Sequence, residues 1–196
     1  MSTLSVDMIE PVGSTLTLGQ SGDTVTIPVG GTFTNSGTAT GFASGSTHAS
    51  QWRLTTGFTG SVDPIASNLE QVDAPVGFGV LGSVMTQSSG IFTFPNTGYW
   101  EITAHASFIT TSDSASRSRL YIASTINDAT YATASNGWAG TYYEDSTASC
   151  SYIMDVTDVT QCKVRFRIYQ AVASITTRGD TAENQTYFTF NRLADT

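Results

Sequence analysis

The stretch Gly98-Tyr99-Trp100-Glu101-Ile102-Thr103-Ala104-His105-Ala106-Ser107-Phe108-Ile109-Thr110 decides the fold. Every second residue from Trp100 to Phe108 is apolar, and Tyr99, Glu101, Thr103, His105 and Ser107 stand between them. Successive side chains of a β-strand point to opposite faces, so this alternation predicts one long strand with one face on a core. The same period recurs downstream. Arg119 to Ser124 turns Leu120 and Ile122 inward, and Lys163-Val164-Arg165-Phe166-Arg167-Ile168-Tyr169 turns Val164, Phe166 and Ile168 inward. Tyr187-Phe188-Thr189-Phe190-Asn191-Arg192-Leu193 repeats the pattern near the C-terminus, and Ile91-Phe92-Thr93-Phe94 runs upstream into a turn at Pro95-Asn96-Thr97-Gly98. Many short strands punctuated by turns predict an all-β, antiparallel sandwich or jelly roll. One short helical turn is expected, from Asp63-Pro64 to Leu69-Glu70.

Upstream, the signal changes. Between Leu16 and Phe42, short alternating runs (Leu16 and Leu18, then Val25 and Ile27) are each followed by turn residues: Gly22-Asp23, Pro28, Gly30-Gly31 and Asn35-Ser36-Gly37. Strands this short bury little area alone. Two readings follow: a flexible Gly/Ser/Thr linker, or an extended arm ordered by wrapping around sister subunits or docking into a larger assembly. Residues 43–60 read as a connection whose Trp52, Leu54 and Phe58 fasten the start of the next domain. The expected organisation is an extended N-terminal attachment or assembly arm over 1–45, a connector over 46–74, and a jelly-roll head over 75–196.

Composition narrows the function. Charged residues make up 12% of the 196 positions, about half the usual share, while Ser and Thr fill more than a quarter. Lys163 is the lone lysine beside seven arginines. Sheet proteins often guard exposed strand edges with lysine, so its scarcity points to edges covered by oligomerisation. A formal charge of −8 argues against nucleic-acid binding, which needs a basic face. No run of 18 apolar residues is present, so no membrane insertion by a helix is expected. Met1-Ser2-Thr3-Leu4-Ser5-Val6-Asp7 lacks the basic and apolar regions of a secretory signal.

Certain motifs of the C-terminal part resemble the globular heads of the tumour necrosis factor and complement family. Phe92-Thr93-Phe94-Pro95-Asn96-Thr97-Gly98-Tyr99-Trp100-Glu101-Ile102 is similar to the family's strand, Pro-x-x-Gly turn and aromatic core strand. Ile153-Met154-Asp155-Val156-Thr157 and Lys163-Val164-Arg165-Phe166 resemble its late paired strands, with a hairpin turn expected near Asp158 to Thr160. The closing aromatic strand is Tyr187 to Leu193, and the resemblance covers roughly residues 75–194. Thr160-Gln161 stands where the family usually has Gly-Asp, and no Gly-x-y stalk precedes the head. The N-terminal Gly22-Asp23-Thr24-Val25-Thr26-Ile27-Pro28 and Thr34-Asn35-Ser36-Gly37-Thr38-Ala39-Thr40-Gly41 resemble arms of bacteriophage virion proteins, tail fibres especially. Together these resemblances imply a homotrimer, assembly in the bacterial host cytoplasm, a place in the virion, and adhesion to a host surface.

Chemistry is sparse. His48 and His105 are the two histidines; His105 falls on the face of its strand opposite the core, and His48 in a Ser/Gly-rich connection. No nucleophile elbow, zinc-protease helix or phosphate loop is present, so no catalytic residue is assigned. Glu144 and Asp145 are adjacent and diverge on a strand, while Glu70 and Asp73 lie in an expected loop, so neither pair spans a glycosidic bond. Asp155 and Asp158 frame a turn without a calcium-loop pattern, and no metal or cofactor is assigned. Cys150 and Cys162 are out of register across the expected hairpin, which favours free, mostly buried thiols over a disulfide. Asn184-Gln185-Thr186 matches a glycosylation sequon by chance, given no export.

The binding candidate is the expected loop from Asn136 to Asp145, with Trp138, Tyr142, Tyr143, Glu144 and Asp145 as glycan ligands. Aromatic faces stack on sugar rings, and acids accept from hydroxyls. The same Trp138, Tyr142 and Tyr143 equally suit packing against a neighbouring subunit. Outward Arg165 and Arg167, with Lys163, are expected to pair with acids such as Glu101 or to line a subunit contact. The expected function is a short tail fibre or fibre tip adhering to host glycan; the alternatives are a capsid decoration or head-fibre protein gripping the shell through its arm and, more weakly, a glycan depolymerase. The partners implied are other copies of the chain, virion proteins that meet the arm, and a host-surface glycan.

Overall fold

The computed structural model describes residues 24, 26–32, 46–110, 116–142 and 144–196. The chain divides into two units, Met1–Phe42 and Ala43–Thr196. In the first unit, a tight turn forms where the Gly31 amide donates to the Pro28 carbonyl at 2.9 Å, with Gly30 at φ 87°. The rest of the expected arm, including Leu16, Leu18 and Val25, lies outside the described residues.

The second unit is an antiparallel jelly roll, with no helix among its described residues. Its strands in chain order are β1 (His48–Leu54), β2 (Phe58–Thr59), β3 (Leu69–Gln71), β4 (Thr86–Ser88), β5 (Ile91–Thr93) and β6 (Gly98–Ile109). They continue with β7 (Ser116–Thr125), β8 (Ala132–Thr141), β9 (Asp145–Val156), β10 (Lys163–Gln170), β11 (Thr176–Thr177) and β12 (Tyr187–Ala194). A seven-stranded sheet runs β9–β6–β12–β1–β3; where β12 ends, Phe108 and Ile109 of β6 pair with β11, which pairs with β2. A five-stranded sheet runs β4–β5–β10–β7–β8. The chain crosses between the sheets repeatedly, which separates neighbours in sequence and joins strands far apart.

The alternation in β6 has the expected meaning. Trp100, Ile102, Ala104, Ala106 and Phe108 are buried between the sheets, facing Leu120 and Ile122 of β7 and Val164, Phe166 and Ile168 of β10 in one core. Phe166 of one sheet stacks on Phe188 of the other with centroids 3.8 Å apart and planes 8° from parallel. Phe92 meets Phe166 and Phe188 edge-on and packs beside Phe190 at 5.2 Å. Each such ring withdrawn from water stabilises the fold by about 1.5–3 kcal/mol. At the turn into β6, Gly98 has φ 134°, and a Cβ there would strike the Ala194 carbonyl, so this turn needs glycine.

Three expectations are corrected. The helical turn over 63–70 is absent: Asp63 and Pro64 form a bend, and Leu69–Gln71 is a strand paired with β1. The hairpin over 153–166 is absent too. β9 lies against β6, with Ile153 opposite Glu101, while β10 lies between β5 and β7 in the other sheet. The turn between them is closed by the Gln161 and Cys162 amides donating to the Asp158 carbonyl, at 3.2 and 2.8 Å. Alternation marks a strand without naming its sheet, so a crossover and a hairpin look alike in sequence. The connector expected over 46–74 supplies β1, β2 and β3 to the seven-stranded sheet. Trp52 packs edge-on to Phe92 at 5.6 Å, and Arg53 is fully buried. Its guanidinium donates to Glu70 Oε1 at 2.7 Å, Asp73 Oδ1 at 2.8 Å and the Ala74 carbonyl at 2.9 Å, which satisfies a charge that would be costly to bury alone.

Truncating the ring that joins the sheets tests this architecture. Phe166→Ala is expected to lower the unfolding free energy by about 3–5 kcal/mol in urea denaturation, because the vacated volume cannot be refilled from two rigid sheets. A loss below about 1 kcal/mol, the size of an ordinary surface change, contradicts that role.

Candidate ligand-binding face

The five-stranded sheet turns one face to the core and the other outward, and register sets what stands outside. Trp138 of β8 lies opposite Arg119 of β7, which lies opposite Tyr169 of β10. In the next row, Asn136 faces Tyr121, and Tyr121 faces Arg167. Beyond it Ala123 faces Arg165, and Thr125 faces Lys163. Cations and aromatic rings therefore interleave on one surface.

The guanidinium groups lie against the rings. The Arg119 guanidinium lies 3.0 Å from the centroid of Trp138 and 5.6 Å from that of Tyr169. Arg167 lies over Tyr121 at 4.0 Å and Arg165 over Tyr131 at 4.3 Å. Contacts of this kind contribute about 0.5–2 kcal/mol each, depending on exposure. Arg119 Nη1 also donates to Tyr121 Oη at 2.9 Å, and Arg167 Nη2 to Thr133 Oγ1 at 3.1 Å. Asp63 reaches Arg165 at 3.2 Å and Arg167 at 3.6 Å. It is carried there by the 61–63 segment, which bridges onto β10 through Val62 and Ile168. A cleft of about 290 Å³ opens beside this bridge, lined by Ser61, Asp63, Tyr121, Arg167 and Tyr169 among others. Burial and the nearby Asp128 carboxylate raise the Tyr131 hydroxyl above its ordinary pKa, opposed by Arg165.

The sequence-derived candidates do not gather into one loop. Residues 132–141 are strand β8, and the turn to β9 is short. Trp138 is half-exposed on the outer face under Arg119, and Tyr142 is exposed just past β8. Glu144 is exposed in the turn, and Tyr143 lies outside the described residues. Asp145 begins β9 opposite Ile109 in the other sheet, ion-paired to Arg178 at 2.9 Å. The acids expected to assist Trp138 thus face elsewhere. Arg165 and Arg167 pair with Asp63 instead of Glu101, which lies in the opposite sheet within 3.5 Å of Asn191 Nδ2. The residues missed were Arg117, Arg119, Tyr121 and Tyr169. The period-2 cations of Arg117-Ser118-Arg119 were the available signal, since they repeat the pattern of β10.

Elsewhere, ionisable groups serve structure. His105 stands on the outer face of β6, 2.8 Å from Ser149 Oγ and stacked on Tyr187, and burial lowers its pKa. No carboxylate orients that pair among the described residues. His48 lies against Trp100 with its Nδ1 2.9 Å from Thr47 Oγ1. Asp158 accepts from the Thr160 amide and hydroxyl at 2.7 and 2.6 Å, which lowers its pKa and shapes the crossover turn. No group of His, Cys, Asp or Glu that could hold a metal occurs among the described residues.

No protein-family model matches this chain, and no curated protein does. Solved structures do share its architecture: an antiparallel jelly roll of tumour necrosis factor type. The structure of Eiger TNF from S. frugiperda superposes with a TM-score of 0.53 at 11% identity, covering 76% of this chain and 93% of that one. Murine APRIL at pH 5.0 gives 0.52 at 10% identity, covering 74% and 98%. The likeness is one of fold.

Both cysteines are free, as expected, although the hairpin register that the expectation used is absent and they lie on or beside strands of different sheets. Burial, partly offset by hydrogen bonding to Ser135, pushes the Cys150 thiol up to about 11, and Cys162 is buried. Since the thiolate is the nucleophile, Cys150 stays almost wholly in its unreactive thiol form near neutral pH. Titration with a disulfide reagent is expected to find both thiols slow in the folded protein and fast in denaturant. Rapid modification of the native chain contradicts this burial.

Proposed function

We propose that this chain is a non-enzymatic structural protein of a bacteriophage virion, a short tail fibre or fibre tip whose jelly-roll head assembles as a homotrimer and adheres to host-surface glycan. The observation that carries the reading is the contrast between the two outer faces of the sandwich. On the seven-stranded sheet, the outward positions of β6, β9 and β12 include no lysine or arginine among residues 99–109, 145–155 and 187–191. Its centre is Thr103, Ser151 and Thr189 beside the His105–Tyr187 stack, with carboxylates at Glu101 and at the two ends of β9, Asp145 and Asp155. The depressed pKa of His105 keeps that centre uncharged near neutrality. An uncharged centre without cations around it suits burial against further copies, and three is the number implied by the resemblance to tumour necrosis factor heads. The opposite face then stays outward, with its cations and aromatic rings available for a ligand. The phage-like arm sequences support a place in the virion.

Sedimentation of the purified chain is expected to give three subunits. Ser149→Arg, which places a cation at the middle of the neutral face, is expected to yield folded monomers; a wild-type monomer, or a trimer indifferent to this change, contradicts the proposed interface. Immunogold labelling is expected on the tail. Labelling of the shell would overturn the fibre reading in favour of capsid decoration.

A further inference from the structure

Five of the chain's eight lysines and arginines, namely Arg117, Arg119, Lys163, Arg165 and Arg167, stand on β7 and β10 in a protein of formal charge −8. The other three are each held by carboxylates: Arg53 by Glu70 and Asp73, Arg178 by Asp145, and Arg192 by Asp195. On the outer face, Asp63 alone among the described residues serves Arg165 and Arg167, and no carboxylate there meets Arg117 or Arg119. Each of these cations on β10, and Arg119 on β7, stands opposite an uncharged partner in the ladder, so the register spaces the cations across the face without pairing any with a carboxylate on the neighbouring strand. An acidic chain that gathers most of its cations on one sheet, and leaves them largely unneutralised, has a surface complementary to an anion.

The geometry narrows the kind of anion. Trp138, Tyr121 and Tyr131 hold the three guanidinium groups at the surface, where the Nε of Arg119, Arg165 and Arg167 is buried without a partner, and a guanidinium short of acceptors matches a carboxylate or sulfate in a forked pair. One of the five donors of Arg119 is engaged, by Tyr121 Oη. The adjoining cleft of about 290 Å³ brings Arg167, Tyr121 and Tyr169 together with the Ser61 and Asp63 side. That volume is near the lower end of the roughly 300–1,000 Å³ typical of ligand pockets, which suits one sugar residue. Its aromatic wall takes the apolar face of a sugar ring, and Asp63 is placed to accept from a hydroxyl. A polyphosphate strand is disfavoured, because it would extend from this limited patch over a strongly acidic remainder.

We propose that the outer face of the five-stranded sheet binds an acidic glycan, with one carboxylated or sulfated sugar in the cleft, its anionic group on Arg119 and Arg167 and its ring against Tyr169. This rests on the adhesion reading above and gives it a site and a ligand charge. It also replaces the acidic pair Glu144 and Asp145 as the polar partners of Trp138.

The test titrates the full chain with oligouronates, with sulfated dextran, and with neutral dextran of equal length. Binding is expected for one or both charged series and not for neutral dextran, with weakening as salt rises toward about 0.5 M. The double variant Arg119→Gln, Arg167→Gln is expected to lose about a hundredfold in affinity, since each of the two lost charge-assisted pairs is worth roughly tenfold, while it still melts cooperatively from a folded state and keeps its oligomeric state. Which charged series binds tells carboxylate from sulfate. Equal binding by the variant, equal binding of neutral dextran, or equal binding of a single-stranded oligonucleotide of matched charge would overturn the inference. So would a change of oligomeric state in the variant, which would make this face a contact between copies. An unchanged titration in the variant leaves the trimer and its virion location untouched. Shell labelling or a monomeric wild type, conversely, leaves the titration standing.

Discussion

The contact on which the rest of the molecule depends is the meeting of the two sheets at Phe92, Phe166, Phe188 and Phe190. These rings come from β5 and β10 on one side and β12 on the other, so they bring together strands separated by most of the head. The near-parallel Phe166–Phe188 pair holds the sheets at a fixed spacing, and the edge-on Phe92 fills the remaining angle. Once this layer is closed, every alternate residue of β6, β7, β10 and β12 is committed to the core. The residues between are released to the two outer surfaces. The functional faces are thus the complement of the core: the same period-2 rule that buries Phe166 and Ile168 exposes Arg165, Arg167 and Tyr169.

That dependence explains what could be read from the sequence. β6, β7, β10 and β12 each alternate over many residues, so their existence and their inward sides were legible at once. Which sheet each belongs to was not. β9 and β10 are joined by a short turn and both alternate, yet they lie in opposite sheets, because the free edge of β6 takes β9 along its whole length. β1 was hidden for a different reason. Its outward Arg53 is buried under Glu70, Asp73 and Ala74, so a strand lying within the sheet shows a charge and a Ser/Gly-rich approach instead of clean alternation. Asn136-Gly137-Trp138 was expected within a loop, whereas it lies in β8 and its glycine serves close approach. A Cβ on Gly137 would collide with the Ser149 carbonyl where β8 passes β9 at the side of the sandwich. Glycine can signal either need, and the local sequence does not separate them.

Charge gives a similar lesson. A net charge of −8 averages over a strongly uneven distribution. The carboxylates spread over loops, strand ends and the N-terminal residues, while five cations concentrate on two adjacent strands. Arg165 and Arg167 could be assigned to an outer face from alternation alone. The association of Arg119 with Trp138 could not, because it needs the β7–β8 register, and that register shifts at the irregularity between Ile122 and Ala123. A one-residue shift in a ladder changes which side chains share a face, so the composition of a sheet surface is a property of pairing, beyond any one strand.

The two outer faces also constrain one another. If both were neutral, either could pack against a second copy, and assembly would have no defined direction. Cations on the five-stranded sheet remove that symmetry. Two such faces brought together would oppose Arg119 and Arg167 with their like, in a partly desolvated contact where repulsion is strong. On the proposed reading, the face that takes an acidic ligand is therefore also the face that resists self-association, and the seven-stranded sheet is left for contact between copies. Recognition and assembly then follow from one arrangement of charge, itself fixed by the phenylalanine layer that decides which residues of each strand turn outward.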